Sequence, residues 1–163
     1  MNAGLASVSV TAAALGSGVV GGVLYGFSAF VMRGLDATQP GTAVAAMQEI
    51  NRAAPRAPLT VPLLGTALLC VLLAVNAVRD LRGDDGSTAP WWVLAGSALY
   101  LVAFLITAGY HVPRNDALMS VDAAGPDAAA AWGGYAGTWV RMNHVRAIAA
   151  IASSASFMVA LLR

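Results

Sequence analysis

Leu5 to Met32 runs for 28 residues without a single charge, and that length decides what the chain can become. A membrane-crossing helix needs about 20 mostly apolar residues. The same kind of stretch returns from Ala57 to Val78, from Trp91 to Tyr110 and from Met142 to Leu162, with Arg146 near the start of the last. The expectation is an all-α fold: an integral membrane four-helix bundle forming one transmembrane domain over 1–163, with spans at about 5–32, 57–78, 91–110 and 142–162. A cleaved signal peptide does not account for the first stretch. It lacks a basic leading segment and far exceeds the roughly 7–15 apolar residues of such peptides.

Composition supports this reading. Hydrophobic residues make up 58% of the chain and charged residues 10%, against about 25% charged in a soluble domain. This argues against a soluble globular protein, a disordered chain and a nucleic-acid binder; the net charge is only +1, with no basic run to follow a phosphate backbone. The basic residues are all arginine and alanine is abundant, which points to a bacterial source and so to a bacterial plasma membrane. Cys70 is the single cysteine and has no partner for an internal disulfide. The positive-inside rule, applied literally, puts the two long loops in the cytoplasm. Discounting the loop arginines that sit among other polar residues removes the bias, so no orientation follows.

Gly18, Gly22 and Gly26 recur every fourth residue in the first span. They share a helix face on which another backbone can approach closely, within the chain or in a homo-oligomer. Neither long loop is a simple linker. Thr42 to Ala54 places Ala43, Met47, Ile50 and Ala54 at helical spacing, with Gln48, Glu49 and Arg52 on another face, so a short interfacial helix is expected. A second is expected within Asp127 to Arg141. If it continues helically into the fourth span, Trp132, Tyr135, Trp139, Asn143 and Arg146 form one stripe.

No ionisable residue sits near the middle of a span, which disfavours a proton pump or ion pathway. The residues with chemical capacity gather instead at the face shared by the long loops: Glu49 and Asn51, then Tyr110 to Asp116, then Trp139 to Arg146. Arg146 stands about one turn inside an apolar span and needs a partner there. Glu49, Asp116 and Asp122 are its candidates.

At these residues the chain resembles a known family. Met47-Gln48-Glu49-Ile50-Asn51, the run from His111 to Leu118 and the run from Trp139 to Arg146 are similar to segments of the anthrone oxygenase-like family, small four-span membrane proteins. The Pro-x-Asn and Trp-x-x-x-Asn-x-x-Arg elements are the most specific parts. His111 and Arg114 stand where the family usually carries a nonbasic and an apolar residue. The resemblance implies oxidation of a hydrophobic, anthrone-like aromatic molecule by O2. An enolisable carbon acid needs only a base, donors for the oxyanion and a dry pocket. His144 or His111 would serve as base, with Arg146 beside it. Asn115, Asn143 and Glu49 would contact the substrate's polar groups, and Trp139 and Tyr135 would stack on its ring. No dinucleotide or flavin fingerprint is present, so no cofactor is expected.

Two other readings compete. His111, His144 and Glu49 are the minimal ligand set for copper or non-haem iron, although no two of them are spaced to bind from one helix. The third reading is a noncatalytic membrane module that binds a lipid or a partner.

Overall fold

The computed structural model describes residues 3–56, 58–83 and 86–163. Ala57, expected to open the second span, lies outside these, as do Met1 and Asn2 of the expected domain range. Four helices are long and apolar enough to cross a membrane: α1 (Gly4–Asp36), α3 (Thr60–Asp80), α4 (Ala89–Met119) and α5 (Ala128–Leu161). The short α2 (Pro40–Ala53) connects the first two. Among the described residues there is no strand. The chain is an all-helical integral membrane protein.

Neighbouring long helices run antiparallel in a ring, α1 against α5, α5 against α4, α4 against α3 and α3 against α1. Small residues let them close. A Cβ on Gly16 would collide with Thr66 Oγ1, and one on Gly21 would fall 3.0 Å from the Ile151 backbone nitrogen. Serine hydroxyls add bonds between helices, Ser153 to the Gly96 carbonyl at 2.7 Å and Ser154 to the Ala14 carbonyl at 2.8 Å. The expected glycine stripe is only partly the packing face. Gly18 meets Ser154, but nothing lies within 4 Å of a Cβ on Gly22, and Gly26 faces only Phe30 of its own helix. The contact drifts to Gly16 and Gly21 because α1 crosses α3 on one side and α5 on the other.

Length shapes the rest. The 21 residues of α3 rise about 31 Å, one bilayer core, while α1, α4 and α5 have 31 to 34 residues and overshoot it. Segments that looked like loop therefore continue as helix. Val112 to Met119 extends α4, and the second expected interfacial helix is the beginning of α5 itself. Beyond the bilayer these extensions and α2 enclose a second core of Met32, Val44, Met47, Leu118, Trp132, Tyr135 and Trp139. Gln48 is buried there and donates to the Leu118 and Val121 carbonyls, both at 2.9 Å, a second bond for Leu118, which also accepts the Val121 N–H, and a cap for Val121 just past α4.

Two long helices change register on the way out. The Met32 N–H reaches the Phe27 carbonyl in α1, and the Val112 N–H reaches that of Thr107 in α4, each closing a π-turn. In α4 the cause is at hand: Pro113 has no N–H to give and its ring crowds the carbonyl four residues back, which a widened turn relieves.

Candidate functional site

The stripe from Trp132 to Arg146 is buried at every position, so α5 presents it inward along its whole upper half. Arg146 is 6% exposed. Its Nε donates to Asn143 Oδ1 at 2.8 Å, its Nη1 donates to Thr107 Oγ1 at 3.1 Å, and its guanidinium lies 5.4 Å from the centre of the Trp139 ring. Asn143 is held in turn by donating through Nδ2 to the Leu24 carbonyl and Ser28 Oγ, each at 2.6 Å. Ser28 lies in the π-turn of α1 and Thr107 begins that of α4. One register shift thus supplies a partner to Asn143 and the other a partner to Arg146.

No carboxylate holds that cation. Glu49 is exposed and pairs with Arg52, the one ion pair among the described residues, and Asp116 is exposed. The expected pairing of Arg146 with Glu49, Asp116 or Asp122 is therefore replaced by neutral partners. The carboxylates stand on α2 and on the outer end of α4, above the depth that Arg146 occupies.

Above and beside the guanidinium lies a cavity of about 470 Å³, within the range typical of small-molecule sites. Its wall is mostly apolar, with Val20, Leu24, Phe27, Met47, Ile50, Leu59 and Leu63 among the lining residues. Its polar points are few: Arg146, Thr107 and His111 deep within, and Asn51, Asn115, Arg52 and Asp116 toward the outer end. Asn115 Oδ1 accepts from the Tyr135 hydroxyl at 2.8 Å and from Trp139 Nε1 at 3.0 Å, which fixes both rings. Asn51 Nδ2 is buried with no hydrogen-bond partner. A buried orphan donor costs about 1–3 kcal/mol, and here it lines an empty-walled space where a ligand oxygen can meet it.

These features coincide with a sequence match. The sequence model of the anthrone oxygenase family matches residues 56–156, well over half the chain. The chain belongs to the anthrone oxygenase family. That membership points to an oxygenase-type function. No curated protein matches the chain, and no solved structure does.

Within this family member, the residues singled out from sequence separate into three groups. His111, Asn115, Trp139 and Arg146 line the cavity. Asn143 and Tyr135 are buried behind it and hold Arg146 and Asn115. His144 and Glu49 are brought to neither place. His144 is exposed, with Nδ1 donating to the Val140 carbonyl of its own helix at 2.9 Å. It sits about 100° around α5 from Asn143, so turning one inward turns the other out.

His111 is 1% exposed and wedged edge-on against Trp139, with ring centres 5.1 Å apart. Its Nδ1 faces the Ile106 carbonyl at 3.3 Å and its Nε2 the Trp139 carbonyl at 3.4 Å. A neutral imidazole has one N–H to give, so one nitrogen keeps its lone pair. The proposed metal ligands fail the geometric test, because His111 is buried in the wall while His144 and Glu49 face outward. Among the described residues no three His, Cys, Asp or Glu side chains converge.

Sequence reasoning missed Thr107, Ser28 and the unpartnered Asn51 amide as members of the site. Asn51 had a signal in its place beside Glu49 on the interfacial helix. Thr107 and Ser28 had none, since each is a small hydroxyl in an apolar span.

Proposed function

We propose that this protein is an enzyme of a bacterial plasma membrane that oxidises a hydrophobic aromatic molecule of the anthrone type with O2 and without a prosthetic group. The observation that carries the reading is Arg146, a buried guanidinium with only neutral partners at the edge of an apolar cavity. Such a cation is complementary to an anion formed inside the site, not to one delivered with the fold.

The chemistry balances without further reagents. The substrate's methylene, lying across the ring from its carbonyl, loses a proton to a base, and the electron pair delocalises onto the carbonyl oxygen beside Arg146. The electron-rich carbon passes an electron to O2 and combines with it as a hydroperoxide. Loss of water leaves a second carbonyl. One methylene and one O2 become one ketone and one water.

His111 is the imidazole in the cavity wall and supplies the base when its unprotonated ring nitrogen turns from its backbone carbonyl to the substrate, and the proton leaves past Asp116, the exposed carboxylate at the outer end. Asn51 Nδ2 donates to an oxygen at the far side of the ring, while Trp139 stacks on its face. No step passes through copper or iron, because the ligand set does not converge.

The test is O2 uptake and anthraquinone absorbance with purified protein in lipid nanodiscs and a hydroxyanthrone. Uptake should be unchanged by chelators, and Arg146→Gln should lower turnover by about 100-fold or more. Chelator-sensitive uptake restored by copper or iron overturns the metal-free mechanism. No uptake across a panel of phenolic substrates leaves the lipid- or partner-binding module.

A further inference from the structure

The cavity reaches two different environments. Arg52 and Asp116, both exposed, line its outer end, where α2 leads into α3. Val23 of α1 and Leu64 of α3 line it as well, and both are outward-facing, 37% and 52% exposed. Thr60 begins α3, whose 21 residues match one bilayer core, so Leu64 lies about one turn inside the hydrocarbon. Val23 is on α1 before its π-turn, within the apolar part of that helix.

The two helices are pinned where Gly16 meets Thr66. Between that contact and the outer end, Val20 and Val23 on one side face Leu63 and Leu64 on the other across the cavity. Val23 and Leu64 therefore both wall the cavity and face lipid, while Val20 is buried between them and the core.

We propose that the cavity is filled from the bilayer, through a side opening between α1 and α3 gated by Val23 and Leu64, and that its occupant is a lipophile dissolved in the hydrocarbon. The anthrone-like identity of that occupant rests on the function proposed above; the route does not. Arg146 lies at membrane depth, so a flat ring entering sideways meets the guanidinium without crossing the charged outer end. Val23 and Leu64 then select for ring thickness as well as admitting the ligand.

The experiment uses anthraquinone as a nonreacting probe and the full chain in lipid vesicles, reading association by stopped-flow quenching of tryptophan fluorescence. Anthraquinones of increasing alkyl-chain length, compared at equal free aqueous concentration, should associate faster in step with their partition into the lipid. Val23→Trp combined with Leu64→Trp should slow association by about tenfold with equilibrium affinity within about twofold, as expected for a narrowed passage. Val71→Trp, at another outward-facing position on α3 that does not line the cavity, should leave the rate unchanged.

A rate fixed by the free aqueous probe concentration whatever the partition coefficient overturns the proposal, as does an unchanged rate in the double variant or a failure of anthraquinone to bind from the bilayer. If the double variant does not fold, the partition series decides alone. Side-route binding without O2 uptake removes the oxygenase reading and leaves the portal standing.

Discussion

Arg146 holds a position in which most side chains of its type would be paired with a carboxylate. Moving a guanidinium out of water costs several kcal/mol, and the hydrogen bonds to Asn143 and Thr107 with the Trp139 ring face offset that cost only in part. A residue kept for stability should be missed when removed; one kept for chemistry should not. Arg146→Met is therefore expected to leave the melting temperature in detergent unchanged or raised while abolishing anthrone turnover. A large drop in melting temperature would mark Arg146 as a structural cation. His111 permits a second separation. Glutamine keeps a donor for one of the two carbonyls but cannot act as a base, so His111→Gln should lower kcat by about 100- to 10,000-fold with KM little changed. His144→Gln should change neither, since His144 faces outward and bonds its own helix.

Helix packing responds to glycine position rather than to glycine spacing. A Cβ on Gly21 would lie 2.8 Å from Ile151 Cγ1 and 3.0 Å from the Ile151 backbone, which cannot retreat without moving α5. Gly21→Leu should destabilise by about 1–3 kcal/mol or more through overpacking. Gly22→Leu, with nothing within 4 Å, should be neutral or should stabilise by up to about 1 kcal/mol, since leucine is the better helix former. Thermal melts of the two variants in one detergent check the contrast. Equal effects would mean that α1 is rotated relative to α5. The π-turns belong to this scale too. Each is a local deviation in one helix, and together they set Ser28 against Asn143 and Thr107 against Arg146, two side chains carried by a third.

The molecule as a whole has two cores with different jobs. One fills the bilayer and is built from small residues and aliphatics, with Tyr100 donating to the Leu63 carbonyl at 3.0 Å across to α3. The other stands outside it, joins α2 to the overshooting ends of α1, α4 and α5, and closes the cavity from above. Gln48 ties the second core to α4 through two backbone carbonyls. Gln48→Leu leaves the Val121 carbonyl without its donor, at about 1–3 kcal/mol, while Leu118 keeps the Val121 N–H, and should free α2 without melting the spans. Hydrogen exchange is expected to rise in Pro40–Ala53 and Val112–Met119 and to stay low in Thr60–Asp80. Uniform loss of protection would show that the two cores unfold together.

Four apolar runs determined the all-α membrane architecture from sequence alone, because hydrocarbon admits only helices and closed barrels, and continuous runs of about 20 apolar residues fit the helix and not the short alternating strands of a barrel. The buried stripe on α5 was equally legible, since positions from Trp132 to Arg146 share a face whatever the helix packs against. The partners of that stripe were not. Whether His144 or Asn143 turns inward depends on the rotation of α5 within the ring, and that the Ser28 hydroxyl meets Asn143 depends on a register shift in α1 that its residues do not announce. Helix ends were misplaced for a related reason: the polar extension of α4 read as loop and that of α5 as a short interfacial helix, yet α2 and its apolar face cover both and keep them continuous with the spans. Periodicity records which residues share a face, a local property of the chain. Which faces meet, at what depth, and around which charge is settled only when helices distant in sequence close on one another.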